Sequence, residues 1–267
     1  ASRLTDMFSS KSWFQELQLC GDFTLVCLEA SLLHQQESSM PRSTGEFVRL
    51  RIATDVSTLE LNDASHFNAL TLQMGSDMQA AVAWLVMQDH ALVQSVLLQG
   101  AGDHFCPGGN MYRKASSAND GPVSLASVAH GSIDLFDGFC RLRSLPLPTA
   151  CAAHGAVLGG GLAACLLTDY VVSSCAATFQ VGERSRGIYP VALFARSLAD
   201  AVGVESAFHL YLIEDKITAW QACESSLIRA VARSTSEAQC VTHVLACGII
   251  NDSPTTCAGI PTLDAWG

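Results

Sequence analysis

The spacing of apolar residues along the chain predicts two successive units of strand, helix and strand. Apolar and polar residues alternate over 47–61, which indicates two short half-buried strands joined as a hairpin. Apolar side chains recur at helical spacing over 71–87 and then run without interruption over 93–98, as in a helix followed by a buried strand. The glycines within 100–102 mark the end of that strand.

A second unit follows in the same order. Small apolar residues over 149–153 predict a tightly packed strand, 162–167 predicts a helix, and 170–173 predicts the next strand. Two crossovers between parallel strands imply an α/β fold. From about residue 193 the pattern is helical with little sign of strands, so we expect this tail to cap the core or to form oligomer contacts.

These patterns divide the chain into three parts. Residues 1–45 carry few periodic signals and begin with Ala, so we expect a leader or accessory segment from an upstream region of a longer chain. Residues 46–192 form the predicted core. Residues 193–267 form the predicted C-terminal helical region for oligomerisation or capping.

Composition excludes several functional classes. Of the 267 residues 49% are apolar and 15% are charged, which excludes an intrinsically disordered chain. There are 15 Lys and Arg against 25 Asp and Glu, so a net charge of −10 leaves no basic face for nucleic acid. No stretch reaches the roughly 18 consecutive apolar residues of a membrane span, and the first residues lack a secretory signal. We therefore expect a soluble, cytoplasmic protein without a membrane partner.

The cysteines do not predict a site. There are eleven of them, an odd number, and no two form a C-x-x-C pair. We therefore expect neither a disulfide framework nor a metal site, and interpret most cysteines as small buried hydrophobic residues in a reducing compartment. Cys106 borders a glycine-rich turn, but spacing identifies no base beside it, so its expected role is packing.

Two glycine-rich turns stand where predicted buried strands end, FCPGGN at 105–110 and GGG at 159–161. Turns without side chains let a ligand approach the backbone N–H groups closely. The triple glycine also opens a helix, whose free N–H groups and dipole favour a negative oxygen. Both turns therefore suit the stabilisation of an enolate oxygen, such as one formed from a thioester.

These turns belong to a longer series of motifs. In chain order they are NAL at 68–70, FCPGGN at 105–110, HGAVLGGG at 154–161, TDYVV at 168–172 and ATFQVGE at 177–183. Their order and spacing over about 47–215 resemble the crotonase (enoyl-CoA hydratase/isomerase) superfamily. The resemblance implies an α/β, crotonase-like spiral of strand-strand-helix repeats over 46–192 and a C-terminal helical region that packs in a homotrimer or hexamer. It also implies a pocket for an acyl thioester of coenzyme A or of acyl carrier protein, with no separate cofactor.

The resemblance assigns residues to this pocket. The N–H groups that bind the thioester oxygen would be those of Gly109 and Gly160, and Asn110 replaces the usual Asp of the first turn. Arg113 and Lys114 would meet the phosphates of the coenzyme or carrier arm. The residues expected to contact substrate are Ala69, Leu70, Gly108, Asn110, Tyr112, Arg113, Lys114 and Gly159.

The acidic positions depart from the hydratase pattern. Hydratases of this family hold a water between two glutamates, and here the first position is Ala163 and the second is Glu183. One carboxylate can move a proton between two carbons of an acyl chain, but it cannot also position a water in the manner of the pair. We therefore predict an enoyl-CoA isomerase in which Glu183 is the acid and base.

Two other functions stay open. Some superfamily members of polyketide assembly use Tyr, Lys or His instead of the glutamates, so Tyr112 and Lys114 suit a carrier-dependent hydratase, dehydratase or decarboxylase. The missing acid at Ala163 also permits a non-catalytic scaffold with this fold. A nucleotide-binding turn at 159–161 is disfavoured because the G-x-G-x-x-G spacing is absent.

Several polar residues also have plain structural interpretations. Taken alone, Glu183 would be a carboxylate paired with a neighbouring arginine. His104 would be a loop residue, His154 would satisfy a backbone group, and Asp169 would support a turn between helix and strand.

Overall fold

The computed structural model describes residues 45–53, 56–88, 93–109, 125–188, 190 and 192–249. The predicted contacts Asn110, Tyr112, Arg113 and Lys114 lie outside these residues, as does all but the last residue of the 1–45 segment. The strands are β1 Val48–Ala53, β2 Val56–Leu61, β3 Ser95–Gly100, β4 Thr149–Ala153, β5 Ala156–Leu158, β6 Tyr170–Ser174, β7 Thr178–Gln180, β8 Ile217–Thr218 and β9 Ala230–Ala232. The helices are α1 Leu72–Val86, α2 Leu125–Leu142, α3 Gly160–Cys165, α4 Phe194–Val202, α5 Val204–Ile213, α6 Ala219–Glu224 and α7 Thr235–Ile249.

Six strands form the main sheet in the order β1-β2-β3-β4-β6-β9. β1 and β2 form the predicted antiparallel hairpin, and the other neighbours run parallel, as crossover connections require. This arrangement confirms the α/β class. The alternating pattern predicts that β2 is half-buried, but all six of its residues are buried because both of its faces are covered. Val56 is buried with Ala246 of α7 on one face, and Leu59 and Leu61 belong to the main core on the other.

Helices α1 and α2 lie so close together that no side chain fits between them at two points. A Cβ atom on Gly75 would lie 2.5 Å from the carbonyl oxygen of Leu135, and one on Gly138 would lie 2.4 Å from the nitrogen of Gln79. Phe136 directly follows Leu135 in α2. The close contact of Leu135 with Gly75 therefore helps to determine where the Phe136 ring lies relative to the second glycine turn.

A second sheet of three strands, β5-β7-β8, positions the glycine turns. Ala156–Leu158 pairs in parallel with Thr178–Gln180, although the sequence pattern assigns no strand to either segment. Each of these strands has three residues, which is too short to show a period of two. A single bridge between Cys106 and Val157 connects the loop after β3 to this sheet.

The C-terminal region supplies part of the sheet as well as its cover. β9 pairs in parallel with β6 at the end of the main sheet, although the tail pattern shows little sign of strands. α7 packs on β3, β4 and β6, where Ala246 is buried with Val56, Leu97 and Ala152. No helix among the described residues is long and apolar enough to cross a membrane.

Replacing Gly75 by Ala tests the close contact between α1 and α2. In an exposed helix this change is stabilising, but here the new methyl would overlap the backbone of Leu135. We expect a loss of about 1–3 kcal/mol in the free energy of unfolding, measured by urea denaturation. Ser76→Ala, at an exposed position of the same helix, is the control and should be neutral or slightly stabilising. Equal stability of the two variants would contradict the packing described.

Candidate active site

The two glycine turns lie side by side because backbone hydrogen bonds join the segments that carry them. The Leu70 N–H donates to the Gly108 carbonyl at 2.8 Å, which holds the first turn against the residues before α1. The Cys106 N–H donates to the Ala156 carbonyl at 3.1 Å, and the Leu158 N–H donates to the Cys106 carbonyl at 3.1 Å. The second turn, which follows Leu158 directly, is thereby fixed beside the first.

The approach is close enough that glycine is required at two positions. A Cβ atom on Gly161 would lie 2.1 Å from the carbonyl oxygen of Cys106. Gly108 has a φ of +93°, and a Cβ atom there would lie 3.2 Å from the nitrogen of Gly160. Side chains at these positions would therefore push the two turns apart.

The N–H groups of the site glycines fall into two kinds. Gly159 donates to the last carbonyl of β7 at 2.9 Å, and Gly108 donates to the Cys106 sulfur at 3.4 Å. The N–H groups of Gly109 and Gly160 have no hydrogen-bond partner within the described residues. The N–H groups of Gly108 and Gly159 thus stabilise the turns, while no described residue accepts a hydrogen bond from the two amides predicted to form the oxyanion hole.

Apolar side chains surround the second turn. Leu70 Cδ1 and Phe136 Cζ lie 3.1 and 2.9 Å from the position that a Cβ atom of Gly160 would take. Ala69, the other predicted contact in this segment, is 9% exposed. Asn68 fixes the segment because its Nδ2 donates to two carbonyls of the loop after β3, at 2.8 and 2.7 Å.

Glu183 precedes a short 3-10 turn, Arg184–Arg186, and is 4% exposed. Its Cγ lies 3.9 Å from the position of a Cβ atom on Gly159, so the side chain lies beside the second glycine turn. Its Oε2 is buried and has no hydrogen-bond partner in the described part of the chain. Burial and, after it, the charge of Glu214 raise the pKa of Glu183 to about 7.

Pairing of Glu183 with a neighbouring arginine is not observed. Arg186 donates from Nη1 to the carbonyl of Gly182 instead. None of the ion pairs formed by the described residues includes Glu183. With a pKa near 7 and no fixed partner, this carboxyl can take up and release a proton at neutral pH, as a general base and acid must.

The position of the second family glutamate is apolar. Ala163 is fully buried in α3, where its N–H donates to the carbonyl of Gly159 at 2.9 Å. No acid is supplied from this turn of the helix.

The two histidines near the turns have structural contacts. His104 accepts a hydrogen bond at Nδ1 from the Ala156 N–H at 3.1 Å, and its ring packs edge-on against Phe67. His154 contacts the Gly102 carbonyl through Nε2 at 3.0 Å, and burial lowers its pKa. His154 therefore satisfies a backbone group, as the sequence predicts.

The remaining polar groups also serve the fold. Asp169 accepts hydrogen bonds from the N–H and the hydroxyl of Thr149 at 2.9 and 2.7 Å, which holds the start of β4. Burial raises the pKa of Cys106 to about 12, so its thiol is not a nucleophile at neutral pH. Across the described ranges no three His, Cys, Asp or Glu side chains gather as a metal ion would require.

Two residues beside the site were not predicted from the sequence. Phe136 belongs to α2, and its segment lies outside every motif. Glu214 follows α5, and its carboxylate accepts hydrogen bonds from the Arg184 and Ser185 N–H groups at 2.5 and 2.9 Å. An acid this far along the chain from Glu183 carries no local signal, because only the fold brings the two together.

This chain is similar to proteins of one known family. The family described as Enoyl-CoA hydratase/isomerase matches residues 51–258 of this chain. A probable enoyl-CoA hydratase of Mycobacterium tuberculosis is 29% identical over 160 residues, which cover 60% of this chain and 59% of that protein. A peroxisomal Delta(3,5)-Delta(2,4)-dienoyl-CoA isomerase of Arabidopsis thaliana is 27% identical over 222 residues, which cover 81% of this chain and 79% of that protein.

A solved structure has the same fold. The crystal structure of an enoyl-CoA hydratase from Bacillus anthracis matches with a TM-score of 0.70 at 24% identity, covering 78% of this chain and 78% of that one. The chain spans about three fifths of the length of the mycobacterial relative. The family match extends over most of the chain and includes both glycine turns and Glu183, so this chain belongs to the enoyl-CoA hydratase/isomerase family.

Proposed function

We propose that the protein is an enoyl-CoA isomerase that shifts a double bond through a thioester enolate. One observation carries the proposal: the buried Glu183 Oε2 lies beside the turn of Gly160, and neither this oxygen nor the Gly160 N–H has a hydrogen-bond partner among the described residues. The Gly109 N–H, on the adjoining turn, supplies the second donor. Such donors act most strongly in a site from which water is excluded.

The reaction needs one carboxyl and no redox change. The Glu183 carboxylate removes a proton from C2 of a 3-enoyl thioester, and the electron pair moves into the carbonyl, whose oxygen becomes an enolate. The N–H groups of Gly109 and Gly160 stabilise this negative oxygen. The protonated Glu183 then returns the proton to C4 as the enolate collapses, and the double bond moves from C3–C4 to C2–C3.

The environment of the acid favours isomerisation over hydration. A carboxyl with a pKa of about 7 is present in both protonation states at neutral pH, so one group can serve as base and then as acid. Hydration requires a water to be positioned by a second acid, and the buried Ala163 cannot supply it. The dienoyl-CoA isomerase of Arabidopsis, which aligns with 81% of this chain, agrees with this choice.

The substrate proposed here is a coenzyme A thioester, as the names of the relatives indicate for those proteins. The carrier-dependent alternative depends on Tyr112 and Lys114, which lie outside the described residues, and it stays a prediction. We also propose the homotrimer or hexamer. Val204, Phe208 and Leu212, spaced four apart on α5, are exposed and form an apolar face that a neighbouring subunit would cover.

The proton transfer is tested with Glu183→Gln. The amide keeps the shape of the side chain but cannot accept a proton, so isomerisation of 3-enoyl-CoA should fall by about 10²–10⁴-fold. Deuterium exchange at C2 of enoyl and saturated acyl-CoA, read by mass spectrometry, should fall equally, while thioester binding should persist. Glu205→Gln, an exposed acid of α5, is the matched control and should keep full turnover.

The result also separates the competing functions. Full isomerase turnover in Glu183→Gln would reject the assignment of the acid. Binding of thioesters by the unmodified protein without exchange at C2 would favour the non-catalytic scaffold. Turnover with acyl-carrier substrates but not with coenzyme A thioesters would favour the carrier-dependent enzyme.

The oxyanion hole is tested with Gly108→Ala. The new methyl would crowd the Gly160 nitrogen and the Leu158 carbonyl and so displace the two turns from each other. We expect kcat to fall by about 10²-fold or more, as when one donor of such a hole is lost. Gly203→Ala also places a side chain at positive φ, but with nothing within 4 Å, so it controls for backbone strain. Equal kcat in the two variants would argue against the hole.

The pKa of Glu183 predicts a pH-dependent stability. Because the folded protein holds this proton up to about pH 7 and the unfolded chain releases it near 4.5, stability is lost as pH rises between these values. Glu183→Gln does not titrate, so its stability relative to the unmodified protein should rise by about 2–3 kcal/mol between pH 5 and pH 8. Thermal unfolding at both pH values measures this difference, and a constant difference would refute the raised pKa.

A further inference from the structure

Glu183 is the residue directly before the 3-10 turn Arg184–Arg186. The first N–H groups of such a turn have no acceptor within the turn and need one from elsewhere. The Glu183 side chain makes no capping bond, and its Oε2 is left without a partner among the described residues. Another group must therefore satisfy the N–H donors of the turn.

That group is the carboxylate of Glu214. Its two oxygens accept from the consecutive N–H groups of Arg184 and Ser185, at 2.5 and 2.9 Å. Hydrogen bonds from N–H groups to an ionised carboxylate are among the stronger ones in proteins. Burial alone would disfavour this charge, but the bonds from Ser185 and Arg184 outweigh burial, so the pKa of Glu214 lies below its ordinary value.

Hydrogen bonds of the Glu214 backbone also hold this residue at its position. It ends α5 with a φ of +56°, a left-handed conformation that glycine adopts without strain and other residues seldom adopt. Its N–H closes the helix on the Leu210 carbonyl at 3.0 Å, and its own carbonyl accepts from Gln180 Nε2 at 2.7 Å. A strained residue that connects β7, α5 and the Glu183 turn suggests a role beyond ending a helix.

We propose that Glu214 is a positioning residue that caps the turn after Glu183 and thereby leaves the Glu183 carboxyl free for proton transfer. The inference rests on the proposed function of Glu183. Without Glu214, the N–H groups of Arg184 and Ser185 would lack an acceptor, and the nearby Glu183 carboxylate would compete to bind them. It would then be held ionised and turned away from the substrate.

The charges near Glu183 in the described structure are few. Arg184 and Arg186 lie on its own turn, and Arg186 is committed to the Gly182 carbonyl. Glu214 comes from the end of α5, where the neighbouring Asp215 and Lys216 are exposed. The segment that begins α3 contributes only glycine and apolar residues beside Glu183, and β7 contributes the neutral Gln180. Glu214 is thus the charged group whose removal should change the titration of Glu183 most.

Two substitutions at position 214 test the role. Glu214→Gly removes the carboxylate and suits the φ of +56°, so the turn can keep its backbone. Glu214→Gln keeps one acceptor oxygen and removes the charge. We expect kcat for the double-bond shift to fall about tenfold or more in the glycine variant and about threefold in the glutamine variant, with KM within about threefold. In both, the acidic limb of the pH profile of kcat should move at least about half a pH unit lower.

Asp215→Asn removes a neighbouring exposed charge and should change neither kcat nor the profile. The proposal is overturned if both position-214 variants keep the parental profile, because a purely structural role would lower stability and kcat without moving the limb. It is equally overturned if kcat and profile match those of Asp215→Asn.

A readout that needs no substrate separates this proposal from the proposed function. Each protein is compared with the same protein carrying Glu183→Gln, and thermal unfolding gives the difference in their stability at several pH values. The pH dependence of this difference reports the titration of Glu183. Its midpoint should move lower in the Glu214→Gln background and stay in place in the Asp215→Asn background. If isomerase activity is absent altogether, the proposed function fails, and this midpoint still decides whether Glu214 controls Glu183.

Discussion

The site depends on a contact between two stretches of backbone. The carbonyl oxygen of Cys106 occupies the place where a Gly161 side chain would begin. Likewise, the nitrogen of Gly160 lies 3.2 Å from the position that a Cβ atom on Gly108 would take. A side chain on Gly161 would overlap this oxygen, and one on Gly108 would be strained by its φ of +93° and would crowd the second turn. The parallel bridge between Cys106 and Val157 fixes the two turns relative to each other. Gly109 and Gly160, whose N–H groups have no partner among the described residues, therefore belong to segments that are distant in sequence and adjacent in space.

Glu183 breaks a rule that stable proteins follow, since a buried polar atom ordinarily has a hydrogen-bond partner. Its surroundings show how the protein tolerates this. The N–H donors nearest along the chain bind Glu214, and the Arg186 side chain binds the Gly182 carbonyl. The proton that burial favours keeps the carboxyl neutral below about pH 7. The same arrangement that weakens folding at alkaline pH gives the carboxyl a proton affinity suited to neutral conditions.

Much of the main sheet was predictable from hydrophobic periodicity, because β3, β4 and α1 are long enough to show their pattern. The strands Ala156–Leu158 and Thr178–Gln180 were not, since three residues cannot establish a period and both lie in glycine-containing motifs. β9 was missed for the same reason of length. Such strands form because neighbours already in place offer hydrogen-bond partners, and that information is not local.

The glycine turns and Glu183 could be located from motif order, but their surroundings could not. The sequence did not reveal that the N–H groups of Gly108 and Gly159 are bonded within the fold, and it offered an arginine partner as the plain alternative for Glu183. Glu214 was out of reach because its relation to Glu183 arises only when the end of α5 returns to β7. An interaction between residues that are far apart in sequence can be inferred only once the fold is known.

The covering of the main sheet by α7 bears on how the protein is made. Ala246 is buried against Val56, Leu97 and Ala152, which lie on three strands formed from earlier parts of the chain. A ribosome delivers these strands long before the helix that covers them. Until α7 emerges, the face of these strands that it covers in the folded protein stays exposed, and such exposed apolar surface is prone to aggregate.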